Sequence, residues 1–236
     1  HEVIIHTTKE LCIDDHLLDY DLFILKSKQL FYLYAGHYIE SNGIPVIPSP
    51  ELSYKIKNRI EAHELLRKAN IVTPPYFMGK ANTLEDKLNQ SEFPLIKKQI
   101  MGSGSKGISM INTPNDLESF KNELIYLEKF IEGTHYLIYF IGDKICCYEK
   151  QPLKDEHSPV KNVKLTPDIE KIVLKWMKKN DLLFGHLDMV KESVSNKLYV
   201  VDPGSFPEFS NWKCNLEPVS SISDLILERF EQIRLS

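Results

Sequence analysis

FGHLDMVKESVSNKLYVVDPGSFPEF, residues 184–209, reads as two apolar strand-like runs that each carry a carboxylate, Asp188 and Asp202. Val190 and the run Leu198-Tyr199-Val200-Val201 favour extended backbone, and the KESVSNK between them is polar, so the stretch predicts a β-hairpin. A hairpin brings both carboxylates to one edge of a sheet. Two acids so placed suit a hard cation such as Mg²⁺, which takes oxygen ligands and keeps waters and substrate phosphates in its remaining positions. Asp202-Pro203-Gly204 is also good turn chemistry, and these residues alone favour that plainer reading.

Moving outward, YLIYFIG and ICCYEK around Gly142-Asp143-Lys144 predict a second, antiparallel hairpin. Residues 151–165 are polar and aperiodic and read as a mobile loop. Thr166-Pro167 then opens an amphipathic helix striped by Ile169, Ile172, Val173, Trp176 and Met177, and a last helix is expected around 222–233. Upstream, FPLIKKQI predicts a strand that enters the glycine-rich MGSGSKG (101–107), followed by the strand-like ISMI. Thr113-Pro114 predicts a helix with Leu117, Phe120 and Leu124 on its apolar face. KIKNRIEAHELLRKANI (55–71) predicts one helix, ended by VTPPYF.

Residues 1–49 alternate strand and helix signals: EVIIHT, DLFILK, KQLFYLYAGHYIES and IPVIPS. This is an α/β pattern with a parallel sheet but too few units for a complete doubly wound domain. A short, reduced or truncated α/β lobe is expected, with EVIIHT as its second strand.

The composition of the 236 residues, 42% hydrophobic and 26% charged, is that of a globular chain with a real core. A net charge of −4 gives no general reason to bind nucleic acid or an anionic membrane, so an anionic ligand must meet a local basic cluster. No apolar run approaches the roughly 18 residues of a membrane span. Cys12, Cys146, Cys147 and Cys214 show no metal-ligand spacing, and adjacent Cys146 and Cys147 do not resemble a disulfide framework; a reducing cytosol is expected.

A glycine-rich loop between two strands lets backbone N–H groups approach phosphates, and a lysine beside it supplies charge. GSGSKG fits neither a Walker loop nor a dinucleotide fingerprint. The order of parts says more: a helix with Arg59, PLIKK entering a glycine-rich loop, YLEKFI, a hairpin, then two late carboxylates. This order resembles the ATP-grasp superfamily from about residue 50 to 212. The resemblance implies an α+β ATP-grasp fold, with the partial lobe at 1–49 and the ATP-grasp domain at 50–236. Its lid subdomain would span about 75–130 and its catalytic subdomain about 131–236.

It also implies ATP and Mg²⁺ as cofactors. The phosphate-binding lysine falls on Lys98, with Lys97 the neighbouring candidate, and the glycine-rich lid on Gly102, Ser103, Gly104, Ser105 and Gly107. The adenine-contacting segment falls on Glu128, Lys129, Phe130 and Ile131, a basic residue on Arg59, and the metal ligands on Asp188 and Asp202. Lys98 and Lys150 are the candidate catalytic cations. Lys150, Lys154, Lys161, Lys164 and His157 would bind a small-molecule substrate, either a carboxylate plus an amine or a polyol phosphate. His135 reads as a packed or surface histidine rather than a catalyst, and Trp176 as a core residue.

RimK-type carboxylate–amine ligases of the superfamily show E-x-N and an Asp-Ile-Arg triplet, which here are Asp202-Pro203-Gly204 and His135-Tyr136-Leu137. Inositol-trisphosphate kinases carry D-x-N-x-F-P, which DPGSFP (202–207) matches apart from the asparagine, while their glycine-loop histidine falls on Ile108. Gly204 leaves the second metal position to Ser205, Glu208 or water. The expected activity is a ligase acting through an acyl phosphate; the alternatives are an inositol-phosphate or polyol kinase and a nucleotide-binding module without catalysis.

Overall fold

The computed structural model describes residues 2–102, 107–153, 158–214 and 217–235. Its helices are α1 (Leu30–Ser41), α2 (Pro50–Lys57), α3 (Arg59–Lys68), α4 (Ala81–Lys87), α5 (Pro167–Asn180) and α6 (Pro218–Leu235). The strands form three sheets. β1 (Phe23–Ile24) and β2 (Val46–Ile47) pair in parallel around α1. A four-stranded sheet has the order β3 (Tyr76–Lys80), β6 (Leu124–Lys129), β4 (Leu95–Lys98), β5 (Ser109–Ile111). A five-stranded antiparallel sheet has the order β11 (Leu198–Gly204), β10 (Phe184–Glu192), β7 (Gly133–Ile141), β8 (Lys144–Lys150), β9 (Lys161–Asn162).

Alternation along the strands of the large sheet divides two cores. Ile138, Phe140, Leu187 and Met189 face Ile169, Val173 and Trp176 of α5. Leu137, Tyr139, Tyr148 and Phe184 point the other way, toward Phe209, Trp212 and Ile222. Asp188 and Asp202 share this second face with Leu137, because their strands place them in register with it. The edge strand β11 is covered: Val200 N–H donates to the Val72 carbonyl at 2.9 Å, and the buried hydroxyls of Ser53 in α2 and Ser205 lie 3.2 Å apart.

Several expectations are corrected. Residues 2–7 form no strand, and Val3, Ile4 and Ile5 are exposed because neither β1 nor β2 pairs with them. The single helix at 55–71 is two, broken at Asn58, whose side chain accepts from Ile60 and Glu61 N–H and so starts α3 anew. Pro114–Phe120 is a 3-10 turn closed by a Thr113/Asp116 capping box, and Leu124 lies in β6. The loop expected over 151–165 contains β9, paired with β8. Cys146 and Cys214, 68 residues apart, are joined in a disulfide with Cα atoms 6.3 Å apart; the chain returns after β11 to place Cys214 beside β8. No helix among the described residues is long and apolar enough to cross a membrane.

Candidate nucleotide and cation site

The floor of the site is the β10–β11 hairpin. Asp188 stands opposite Asp202 and His186 opposite Gly204, so positions 186, 188, 202 and 204 form two neighbouring rungs on one face of the sheet. The register shifts after Asp188, which pairs with Asp202 while Met189 pairs with Val200, leaving Val201 as a bulged residue. Its carbonyl accepts from Lys98 Nζ at 3.2 Å. Lys150 at the end of β8 reaches over and donates to Asp188 Oδ2 at 2.5 Å.

The opposite wall comes from the four-stranded sheet. Alternation on β4 sends Lys97 outward, over the Phe120 ring at 4.2 Å and 3.9 Å from Glu123, and turns Lys98 inward. Lys98 Nζ donates to Glu128 Oε1 at 2.5 Å. Glu128, 1% exposed, accepts on Oε2 from the Tyr126 hydroxyl at 3.0 Å and lies 3.3 Å from His63 Nε2. His63 Nδ1 lies 3.0 Å from the Thr73 hydroxyl. Burial acts to raise the Glu128 pKa, but Lys98, followed by His63, outweighs it and holds the carboxyl below its ordinary value. Burial and Glu128 together push the Tyr126 phenol far up.

Arg59 joins the two walls. It follows the break at Asn58, and that break is tied to the glycine-rich loop: Asn58 bridges Met101, Arg59 N–H donates to Ile100 O at 3.0 Å, and Gly102 N–H to Lys57 O at 3.4 Å. The Arg59 guanidinium, 7% exposed, donates to Asp202 Oδ1 at 2.5 Å. Burial would raise the Asp202 pKa, yet Arg59, then Lys98, reverse this and hold it at about 2, although 29% of the side chain stays open.

The glycine-rich loop starts and ends on Gln99. Carbons of its side chain lie 3.1 Å from a Cβ built at Gly102 and 3.2 Å from one built at Gly107, and Gly107 has φ +70°, which favours glycine. Ser103, Gly104 and Ser105 lie outside the described residues, as do Lys154 and His157. A cleft of about 430 Å³ at the loop base is lined by residues 97–101, 107 and 123–125. Lys98 touches it, but Asp188, Asp202 and Arg59 do not, so it is the socket of the loop rather than the space between the walls.

A family model described as an ATP-grasp domain matches residues 56–163, which contain Arg59, the loop, Lys98, Glu128 and Lys150. Among solved structures, D-alanine–D-alanine ligase from Bacillus anthracis superposes with a TM-score of 0.68 at 18% identity, covering 93% of this chain and 83% of that one. The fold is ATP-grasp. The ATP-grasp ligase PsnB, solved with a minimal precursor, Mg and ADP, superposes at 0.65 and 13% identity over 86% of this chain and 68% of that one. In sequence, this ATP-grasp chain is 30% identical over 102 residues to a carbamoyl-phosphate synthase of Methanobrevibacter smithii, a match spanning 42% of this chain and 28% of the synthase.

In the segment expected to meet adenine, two N–H groups of the ATP-grasp chain are committed: Lys129 donates to Pro75 O at 2.8 Å and Phe130 to Pro94 O at 3.1 Å. The Lys129 ammonium is held by the carbonyls of Ser91, Glu92 and Phe93. His135, opposite Lys150, is buried against Phe130 with ring centroids 6.4 Å apart. Burial, then Lys150, lowers its pKa to about 4. Sequence reasoning missed His63, Tyr126, His186 and the Val201 carbonyl; the one available signal was His63 at helical spacing on the same stripe as Ile56 and Ile60.

Four buried side-chain N or O atoms among the described residues lack a partner, and three belong to this site: Arg59 Nε, Asp188 Oδ1 and His186 Nδ1. A buried donor on a cation and a buried acceptor on a carboxylate fit an anion and a cation bound together. No three His, Cys, Asp or Glu side chains converge among the described residues. Two carboxylates therefore fit Mg²⁺, which retains waters and phosphate oxygens, better than a metal held wholly by protein.

Proposed function

We propose that the chain is the ATP-grasp portion of an ATP- and Mg²⁺-dependent ligase that activates a substrate carboxylate as an acyl phosphate for capture by an amine, with RimK-type carboxylate–amine ligases as the nearest chemical class. The observation that carries this reading is the presence of unpartnered buried atoms on both Arg59, which contacts Asp202, and Asp188, which stands opposite Asp202 in the hairpin. Every charged group of the site is paired with another: Lys98 with Glu128, Arg59 with Asp202, Lys150 with Asp188.

When bound, Mg²⁺·ATP supplies the transferable phosphoryl group and the charge that makes it reactive. Arg59 would turn its guanidinium from Asp202 to phosphate oxygens, freeing Asp202 for the cation. Lys98, anchored by Glu128 and the Val201 carbonyl, would hold phosphate at a fixed depth. Lys150 would leave Asp188 and meet the incoming carboxylate. Ile131 N–H would read the adenine edge, since the two preceding N–H groups are committed. The lid would be about residues 75–130 and the catalytic floor about 131–236. The Phe-Pro of DPGSFP lends no support to a kinase: Phe206 packs edge-on against Phe184 at 4.6 Å, with Lys26 Nζ 4.7 Å from its ring, which explains it as packing.

Hydroxylamine trapping tests the chemistry. Incubated with ATP, Mg²⁺ and a panel of amino acids and peptides, the chain should yield an ATP-dependent hydroxamate with stoichiometric ADP and phosphate. ADP formation matched by a phosphorylated alcohol, without hydroxamate, would establish the kinase instead.

A further inference from the structure

His186 lies on the β10–β11 floor of the site, and its surroundings are unlike those of a packed core residue. It sits one same-face rung from the Asp188–Asp202 pair, opposite Gly204. A Cβ built at Gly204 falls 1.9 Å from His186 Cε1 and 2.3 Å from Nδ1, overlapping that edge of the ring. The two positions therefore share one space, and only one of them can carry a side chain there. The chain fills it with an imidazole whose Nδ1 is sealed from solvent and without a partner. On the neighbouring rung, Asp188 Oδ1 is in the same condition.

A buried imidazole nitrogen left unpaired on an apolar wall is costly, so one that persists beside an unpaired carboxylate oxygen marks a place for a bound group. The carboxylates at 188 and 202 would be two protein ligands, and among the described residues no third acidic, cysteine or histidine side chain converges with them. A hard cation there keeps waters, and each such water has hydrogens that need acceptors. An unpartnered imidazole Nδ1 on the rung next to the carboxylate pair can be such an acceptor. A side chain at 204 would push the ring away from it.

We propose that His186 is a positioning residue for the divalent cation: its Nδ1 accepts a hydrogen bond from a cation-bound water, and residue 204 is glycine because the imidazole occupies the space a side chain would need. The inference rests on the cation reading of Asp188 and Asp202 given above.

The test uses the whole chain with Mn²⁺ as probe, its free concentration followed by electron paramagnetic resonance in the presence of a non-hydrolysable ATP analogue. His186→Leu, which keeps volume but removes the acceptor, should weaken Mn²⁺ binding by about 10- to 100-fold. His186→Asn, whose amide oxygen can stand near the Nδ1 position, should retain it. Gly204→Ala should reproduce the loss by displacing the ring, and the His186→Leu/Gly204→Ala double variant should lose no more than either single one. Affinity for the analogue without metal should stay at the parent value throughout, which a merely structural role for the ring would not guarantee.

Mn²⁺ binding by His186→Leu as tight as the parent's overturns the proposal. Should His186→Leu not fold, His186→Asn and Gly204→Ala decide it, and equal Mn²⁺ affinities in those two overturn it. Asp188→Asn and Asp202→Asn separate the two ideas: if both still bind Mn²⁺ normally, the cation site itself is wrong and the proposal goes with it. If they lose the metal while His186→Leu keeps it, the cation site stands and only the part assigned to His186 is lost.

Discussion

Glu128 and Asp202 belong to the two walls of the site, and they are held in different ways. Glu128 is 1% exposed and meets Lys98, Tyr126 and His63, a network in which both carboxylate oxygens have partners. Asp202 keeps 29% of its side chain open and meets one guanidinium, itself carrying an unpartnered Nε. A fully satisfied buried network rigidifies its surroundings, whereas a partly satisfied pair at an opening is ready to exchange partners. The four-stranded wall thus fixes where Lys98 stands; the hairpin floor is left able to take charge from outside.

The largest effect expected from this difference is on Glu128. Replacing it by alanine leaves the Lys98 ammonium, 8% exposed, with one carbonyl and leaves the Tyr126 hydroxyl with His63 Nε2, 2.6 Å away, as its remaining partner. Unfolding in urea should show a loss of about 3–5 kcal/mol. Asp202→Asn should lose less, about 2 kcal/mol, because the amide oxygen still accepts from Arg59 and the site is partly open. Equal losses in the two variants would erase the distinction between the walls.

The same contrast has a pH signature. The Asp202 pKa is held at about 2, below its ordinary value of 3.8, so the folded state binds its proton less readily than the unfolded chain. Its contribution is therefore complete above about pH 4 and is lost as pH falls from about 4 toward 2. The depression corresponds to roughly 2 kcal/mol. Comparing unfolding free energies of the parent and Asp202→Asn from pH 5 to 2 should give curves that converge at the acid end; parallel curves would place the pKa depression elsewhere.

Much of this arrangement is legible in the sequence because it depends on short-range periodicity. The hairpin at 184–204, the helix opened by Thr166-Pro167 and the strand carrying Lys98 follow from alternation, capping and turn chemistry, and the α+β ATP-grasp fold follows from their order. What sequence does not carry is the long-range pairing of side chains. The contact of Arg59 with Asp202 spans 143 residues, and it depends on a helix break at Asn58 that a periodic stripe conceals. The bulge at Val201 and the space shared by His186 and Gly204 are properties of register, which no single residue announces. Cys146 and Cys214 were unreadable for the same reason, being brought together by the return of the chain after β11.

The smallest stability effect, and the sharpest test of what the floor is for, belongs to Asp188. Its carboxylate is 18% exposed, paired with a lysine that is itself 24% exposed, and one oxygen is buried without a partner. Asparagine keeps an oxygen that can accept from Lys150 and replaces a carboxylate whose second oxygen is buried without a partner, so Asp188→Asn should change unfolding free energy by less than about 1 kcal/mol in either direction. The same substitution should abolish the Mg²⁺-dependent part of the thermal stabilisation given by an ATP analogue, which arises by mass action on the folded state alone. Residues held for function tend to violate local satisfaction, and their loss is felt in binding rather than in folding. An Asp188→Asn protein that is markedly destabilised yet still responds to Mg²⁺ would make Asp188 a structural anchor like Glu128, and the two walls of the site would then be alike.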